Sequence, residues 1–292
     1  MSEAFDSDPR EIEREARQLE KGDPKRARDF YARAAEAWSR RTDSAFAASR
    51  YIGCARKGDL DRPGLVGEAR ELARRHREDA WVRSAYAWVC YDLARERLDR
   101  REPERAALAM AEALDQAPAI RDPGLLVERV ALLAGRLTKG DDGSPAGPAG
   151  TRAACDLIES HGEILLKHLS AEPPGASRLA PLEGFFYTCR RAAGEGDRAD
   201  LLERFTCAAV ERYPGNEWFA EAHVRAATLS GDPKKARERG ETAFDRFPGS
   251  WAVAAARAKA ELAARSCSRA VEILEPACLA ADAPWPWREL AA

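Results

Sequence analysis

The sequence predicts an all-α protein built as a solenoid of about seven stacked helix-turn-helix hairpins. Three observations carry that prediction. Ala, Arg, Glu and Leu, all strong helix formers, dominate the chain while β-branched residues are sparse. No stretch alternates apolar and polar residues for six positions between turn signals, as a half-buried strand would. Turn signals return at a nearly constant interval, which marks a repeat architecture rather than one closed core.

The turns define the elements in order. Gly22-Asp23, Gly58-Asp59, Gly196-Asp197 and Gly231-Asp232 each close one helical stretch and open another, with steps of 36 residues in the first pair and 35 in the second. Glycine reaches the left-handed conformation that ends a helix, and the Asp after it caps the next one. Pro24 and Pro233 follow at the first helical position, where a missing N–H costs nothing. A second series, Pro214 and Pro248, repeats after 34 residues. Two interleaved turn series divide the chain into hairpins at about 8–41, 42–78, 79–118, 121–170, 181–214, 215–248 and 249–282.

Residues 1–7 read as a disordered start, and 8–282 as one helical-repeat domain. The fourth hairpin is interrupted by the Gly/Pro-rich segment 140–150, expected to be a flexible loop with no core-forming side chains. A shorter break falls at Glu172-Pro173-Pro174-Gly175. A lone hairpin cannot bury its apolar face, so terminal units need covers. The last residues, 283–292, with Trp285-Pro286-Trp287, are expected to fold back as a capping tail.

Composition bounds the function. Of 292 residues, 47 are Lys or Arg and 49 Asp or Glu, and the net charge of −2 gives no basic excess for a duplex binder. No apolar run approaches the ~18 residues of a bilayer span, so no membrane role is expected. Met1 to Pro9 is acidic and polar, unlike a signal or transit peptide. Seven cysteines without a CxxC pair sit in helical patterns, which suggests seven buried thiols in a reducing, cytoplasmic setting.

Within the second helix of several units, small and large residues recur at four-then-three spacing. Ala27, Tyr31 and Ala34 do so, as do Ala106, Met110 and Ala113 with Pro118 five residues on, and Ala236, Gly240 and Ala243 with Pro248. Such residues share one helix face, where small side chains admit a neighbouring helix closely. This spacing, the closing proline and the 34-residue period resemble the tetratricopeptide repeat family in a degenerate form. The family's Trp-Leu-Gly-Tyr signature in the first helix is mostly absent. Gly22 to Tyr31, and Phe244 to Pro248 followed by Trp251, are also similar to half-a-tetratricopeptide repeats of RNA-processing complexes. Either resemblance implies a right-handed superhelix with a concave groove, and a scaffold or adaptor that binds a protein partner.

Signs of catalysis are weak. His161 and His168 could share a helix face near Glu163 and Cys155, but HExxH and Glu-x-x-His spacings are missing, so no metal or other cofactor is expected. His76, in a basic run at a helix end, suits the helix dipole. Segment 140–150 lacks the Lys-Ser/Thr of a phosphate loop. Glu221 with Arg225 and Arg257 with Glu261 read as surface pairs four residues apart. Trp81, Trp88 and Tyr91 read as the interior of the third hairpin. The chain is therefore expected not to be an enzyme.

One constellation suggests a binding surface. First helices line the groove in such arrays, and steps of 34 residues lead from Arg191 to Arg225 and Lys259. Tyr187, Trp218 and Glu221 lie near them on the same helices. A basic stripe with aromatic neighbours suits an acidic peptide, a terminal carboxylate or a phosphate backbone. The 35-residue turn spacing allows a slip of one residue, placed by this reading in the last unit, which would take Lys259 out of the stripe. The alternative is an RNA-associated helical-repeat protein.

Overall fold

The computed structural model describes residues 8–58, 62–139, 147–169, 181–195 and 198–280. Among the described residues the chain forms fourteen α-helices and no β-strand. They are α1 (Pro9–Leu19), α2 (Pro24–Ser39), α3 (Ala45–Lys57), α4 (Arg62–Arg75), α5 (Ala80–Asp99), α6 (Pro103–Leu114) and α7 (Gly124–Thr138). There follow α8 (Pro148–His168), α9 (Pro181–Glu195), α10 (Ala199–Arg212), α11 (Glu217–Leu229), α12 (Pro233–Arg246), α13 (Trp251–Ala263) and α14 (Cys267–Ala280). Taken in pairs, they fall within the seven intervals that the turn spacing marks.

Helix starts follow the chemistry of the sequence. The Asp23 and Asp232 carboxylates accept from the backbone N–H of Arg26 and Lys235, ahead of Pro24 and Pro233. Asp8, Ser44, Asp79, Asn216 and Ser250 cap their helices in the same way. The glycine turns are less uniform. Gly231 alone of the described glycines is left-handed, at φ +74°. Gly58 is right-handed and is required by close approach instead, because a Cβ there would lie 2.8 Å from the backbone nitrogen of Ala32. Arg265, 34 residues after Gly231, makes the left-handed turn before α14 at φ 60°, and Arg101 does so before α6.

The four-then-three faces are buried as expected. Ala27, Tyr31, Ala34, Ala106, Met110, Ala113, Ala236 and Ala243 all lie in the core. Gly240 admits the α13 backbone: a Cβ there would stand 3.1 Å from Cγ of Arg257. Consecutive helices pack on one another from α1 to α7 and from α9 to α14, and first helices also pack on first helices, α3 on α5 and α11 on α13. Helix order, pairing and the small-large-small faces agree with the tetratricopeptide-like hairpin array that the sequence suggests.

The contacts group the chain into two compact units, where the sequence suggested one domain over 8–282. Unit 1 comprises 1–153 with 167–170, and unit 2 comprises 154–166 with 171–292. In unit 1, α3 supplies cations to both of its neighbours among the first helices. Arg50 binds the buried carboxylate of Glu13 on α1 at 2.9 Å, and Arg56 binds that of Asp92 on α5 at 2.6 Å. In unit 2 an aromatic cluster of Phe185, Phe186, Phe205 and Phe219 joins α9, α10 and α11.

Three readings need correction. The stretch 140–150 is not loop throughout: α8 begins at Pro148, because proline at the first helical position is compatible with a helix and needs no N–H partner. The thiols are not all buried, since Cys267 opens α14 exposed and Cys207 is half-buried. Trp81, Trp88 and Tyr91 are not interior: Trp81 is 74% exposed and the other two are half-buried. Seven-residue spacing marks a shared face without saying which, and the competing face of Val82, Tyr86 and Val89 takes the core. Residues 1–7, the Glu172 to Gly175 break and the tail at 283–292 lie outside the described residues.

Candidate functional site

The most distinctive polar arrangement lies in unit 2, on the first helices of its three hairpins. Phe186 of α9 packs on Phe219 of α11, with ring centroids 5.1 Å apart, and this contact sets α9 beside α11. Val253 and Ala256 of α13 share a core cluster with Ala220 and Val224 of α11, which sets α13 on the other side. Each helix then presents its polar stripe to the same side.

A cavity of about 290 Å³ opens there, lined by Arg190, Trp218, Glu221, Arg225, Trp251, Ala252, Ala255 and Lys259. Glu221 is 2% exposed and forms its floor. Arg225 Nε donates to Glu221 Oε1 at 2.8 Å, and Arg190 Nη1 reaches Oε2 at 3.5 Å. Both arginine side chains keep about a third of their surface in water, at 31% and 30%. Lys259 is exposed at the rim, and Trp218 stands against Tyr187 edge to face at 5.1 Å. Two cations on one buried carboxylate, with Lys259 on the same lining and two indole walls, make a cation-rich site suited to an anionic group beside apolar surface.

Of the residues named from the sequence, the structure brings Arg225, Lys259, Trp218 and Glu221 to one cavity. Tyr187 buttresses it through Trp218. Arg191 is half-buried and does not line it; its neighbour Arg190 does. The one-residue slip falls between α9 and α11, while the 34-residue step from Arg225 to Lys259 holds. The 35-residue interval from Gly196 to Gly231 is the signal that gives Arg190. Trp251, seen in the sequence only as a helix-start residue, forms a wall.

The surface pairs read from the sequence differ in kind. Glu221 and Arg225 do pair, but the carboxylate is buried. Glu261 is 1% exposed and is held by Arg237 of α12 at 2.8 Å, while Arg257 lies over the Phe244 ring at 4.9 Å. Beside them, on α10 to α12, Arg239 and Lys235 grip Glu203. Burial pushes the Glu203 carboxyl up, and the two cations overcome it to hold it at about 2. Burial, then the charge of Arg239, pushes the His223 imidazole down to about 4, so it is neutral at pH 7.

Other chemistry-bearing groups are inert as placed. Burial raises the thiols of Cys54 to about 11 and Cys90 to about 12, and those of Cys155, Cys189 and Cys207 also rise, which keeps them protonated near neutrality. His161 is buried, with Nδ1 2.8 Å from the Ser160 hydroxyl. Among the described residues no group of three His, Cys, Asp or Glu is placed to hold a metal. No described helix is long and apolar enough to cross a membrane.

No family model matches the chain, and no curated protein matches it. Among solved structures, a tetratricopeptide repeat protein from Parabacteroides merdae aligns over 97% of both chains at 13% identity, with a TM-score of 0.36. A monomeric mutant of IFIT1 with m7Gppp-AAAA aligns over 86% of this chain at 11% identity, with a TM-score of 0.33, and the match spans 55% of that protein's length. Likeness this distant bears no weight on what this chain binds.

Proposed function

We propose that the chain is a non-catalytic scaffold or adaptor, a cytoplasmic subunit of a larger complex, whose second unit receives an acidic segment of a protein partner. The observation that carries the reading is the cavity to which three successive hairpins each contribute a cation, Arg190 and Arg225 on the carboxylate of Glu221 and Lys259 at the rim. The groove along α9, α11 and α13 offers an anion two fork-shaped donors already oriented from below, and so little ordering remains for binding to impose. Trp218 and Trp251 give an apolar residue beside that anion a wall to lie on. A cofactor has no part in this reading.

The test is fluorescence anisotropy on the full chain with an acidic peptide ending in a free carboxylate, its amidated twin and a single-stranded RNA. Lys259→Glu reverses a rim charge and keeps both Arg190 and Arg225 on Glu221, while Arg191→Glu alters a residue outside the cavity. Peptide binding that weakens at least tenfold in the first and barely in the second supports the reading. RNA binding with a steep salt dependence, or protein partners from native extract that are lost after nuclease, would replace it with the RNA-associated alternative. Peptide affinity equal in both variants would remove the cavity from the account.

A further inference from the structure

The first helices of unit 1 use the same positions as those of unit 2 with a different chemistry. The second residue of α3, α5 and α7 is Phe46, Trp81 and Leu125, which are 53%, 74% and 58% exposed. Two turns further on, α5 carries half-buried Trp88 and α7 carries Leu132, which is 55% exposed. The equivalent pairs in unit 2 are Trp218 with Arg225 on α11, counted from the cap at Asn216, and Ala252 with Lys259 on α13, counted from Ser250. Single exposed apolar residues are ordinary on any surface. Two matched pairs on neighbouring helices are a pattern.

We infer that the α5–α7 face of unit 1 is a docking surface for an amphipathic helix of a partner protein, with an apolar ridge and acidic flanks. Helices α5 and α7 pack together and run the same way, because α6 reverses the chain between them. Seven residues of helix rise about 10.5 Å, so Trp81 and Trp88 stand on one bank at the spacing of Leu125 and Leu132 on the other. A partner helix repeats its own ridge at i, i+3 or i+4 and i+7, which has the same rise. Laid along the furrow, it meets an apolar pair at each end.

The flanking charge selects the acidic version. Arg129 is exposed on α7 between Leu125 and Leu132, Arg56 lies over the Trp88 ring at 5.2 Å, and Arg95 is exposed on the same face of α5 two turns further on. The nearby carboxylate of Asp92 is buried beneath Arg56 and Arg95, and Glu128 is half-buried. What faces solvent is thus apolar with a border in which cations outnumber carboxylates, the exposed Asp99 of α5 being bound by Arg136 of α7 at 2.9 Å. The inference rests on unit 1 alone and is independent of the acidic-segment reading of unit 2.

The experiment is a display selection on the full chain, using a library of sixteen-residue amphipathic helices with Leu, Ile or Phe varied along the ridge and Glu or Lys varied on the flanks. Enrichment of Glu-flanked ridges, whose affinity falls at least tenfold in both Leu132→Glu and Arg129→Glu, supports the inference. Circular dichroism establishes that each variant keeps its helices, and Arg129→Glu leaves the apolar residues untouched. No enrichment, enrichment of Lys flanks, or binding indifferent to both variants would overturn it. So would self-association of the chain, or binding to phosphatidylserine vesicles, that Leu132→Glu abolishes, since a second copy or a lipid surface would then be the occupant.

Discussion

Replacing Glu221 by glutamine preserves the shape of the cavity floor and removes its charge, and the two consequences have opposite signs. Glu221 holds Arg225 at 2.8 Å and Arg190 at 3.5 Å. Glutamine keeps one acceptor oxygen for Arg225 but turns an amide N–H₂ toward Arg190, so one charge-assisted bond weakens and the other becomes a donor facing a donor. Charge-assisted bonds contribute about 1.5–3 kcal/mol each and neutral ones about 1. Because roughly a third of each arginine side chain is in water, part of that loss is recovered by hydration. The expected destabilisation of E221Q is therefore about 1–2 kcal/mol, read from urea unfolding followed by circular dichroism. Anion binding should move the other way. A carboxylate some 6 Å from a bound anion repels it by roughly 0.7 kcal/mol in water-like surroundings and more under partial burial, so removing it should tighten an acidic peptide about three- to fivefold by anisotropy. A variant as stable as the parent with unchanged peptide affinity would refute the reasoning, because the carboxylate would then neither hold the cations nor shape the field above them.

Acid should weaken the fold in two windows. His223 takes a proton near 6.5 when unfolded but only at about 4 when folded, so stability falls between those values as pH drops. Glu203, held at about 2 against an ordinary 4.5, withdraws its contribution below 4.5; urea midpoints at pH 7, 5 and 4 should decline stepwise, and His223→Gln should flatten the step from 7 to 5. Arg265→Gly relieves a left-handed non-glycine residue on an exposed turn and should raise stability by about 1 kcal/mol in the same assay. Gly58→Ala drives a Cβ to 2.8 Å from the Ala32 backbone and should cost about 1–3 kcal/mol, whereas Gly53→Ala, with open space around it, should not destabilise.

The hairpin plan was legible because caps and close contacts demand particular residues. Asp23, Pro24, Asp232 and Pro233 announce their helices, and the Ala106, Met110 and Ala113 face admits few alternatives. Where a backbone need can be met by any residue, the signal vanishes: Arg265 takes the turn that Gly231 takes one repeat earlier, and no reading of composition finds it. Half of the cavity lining was legible for a similar reason, since repeats carry side chains forward in register. Arg190 was missed because register was counted from prolines, which bound unit ends, and not from the Gly196 to Gly231 interval that spans the actual slip. Burial of Glu221 was illegible, as an i,i+4 ion pair looks the same in sequence whether the acid faces water or the next helix.

The double duty of α3 has a consequence for how such a chain could lengthen or shorten over evolutionary time. Arg50 and Arg56 answer carboxylates on the helices to either side, Glu13 and Asp92. An in-frame excision of the second hairpin would keep the period, yet it would strip two buried acids at once of their partner from the neighbouring helix, leaving Glu13 only Arg17 and Asp92 only Arg95 on their own helices. Removing the first hairpin instead takes Glu13 away and leaves Arg50, already part-exposed, to the solvent. Loss of the first hairpin is therefore expected to cost less than loss of the second, unless an acid and its base are lost together.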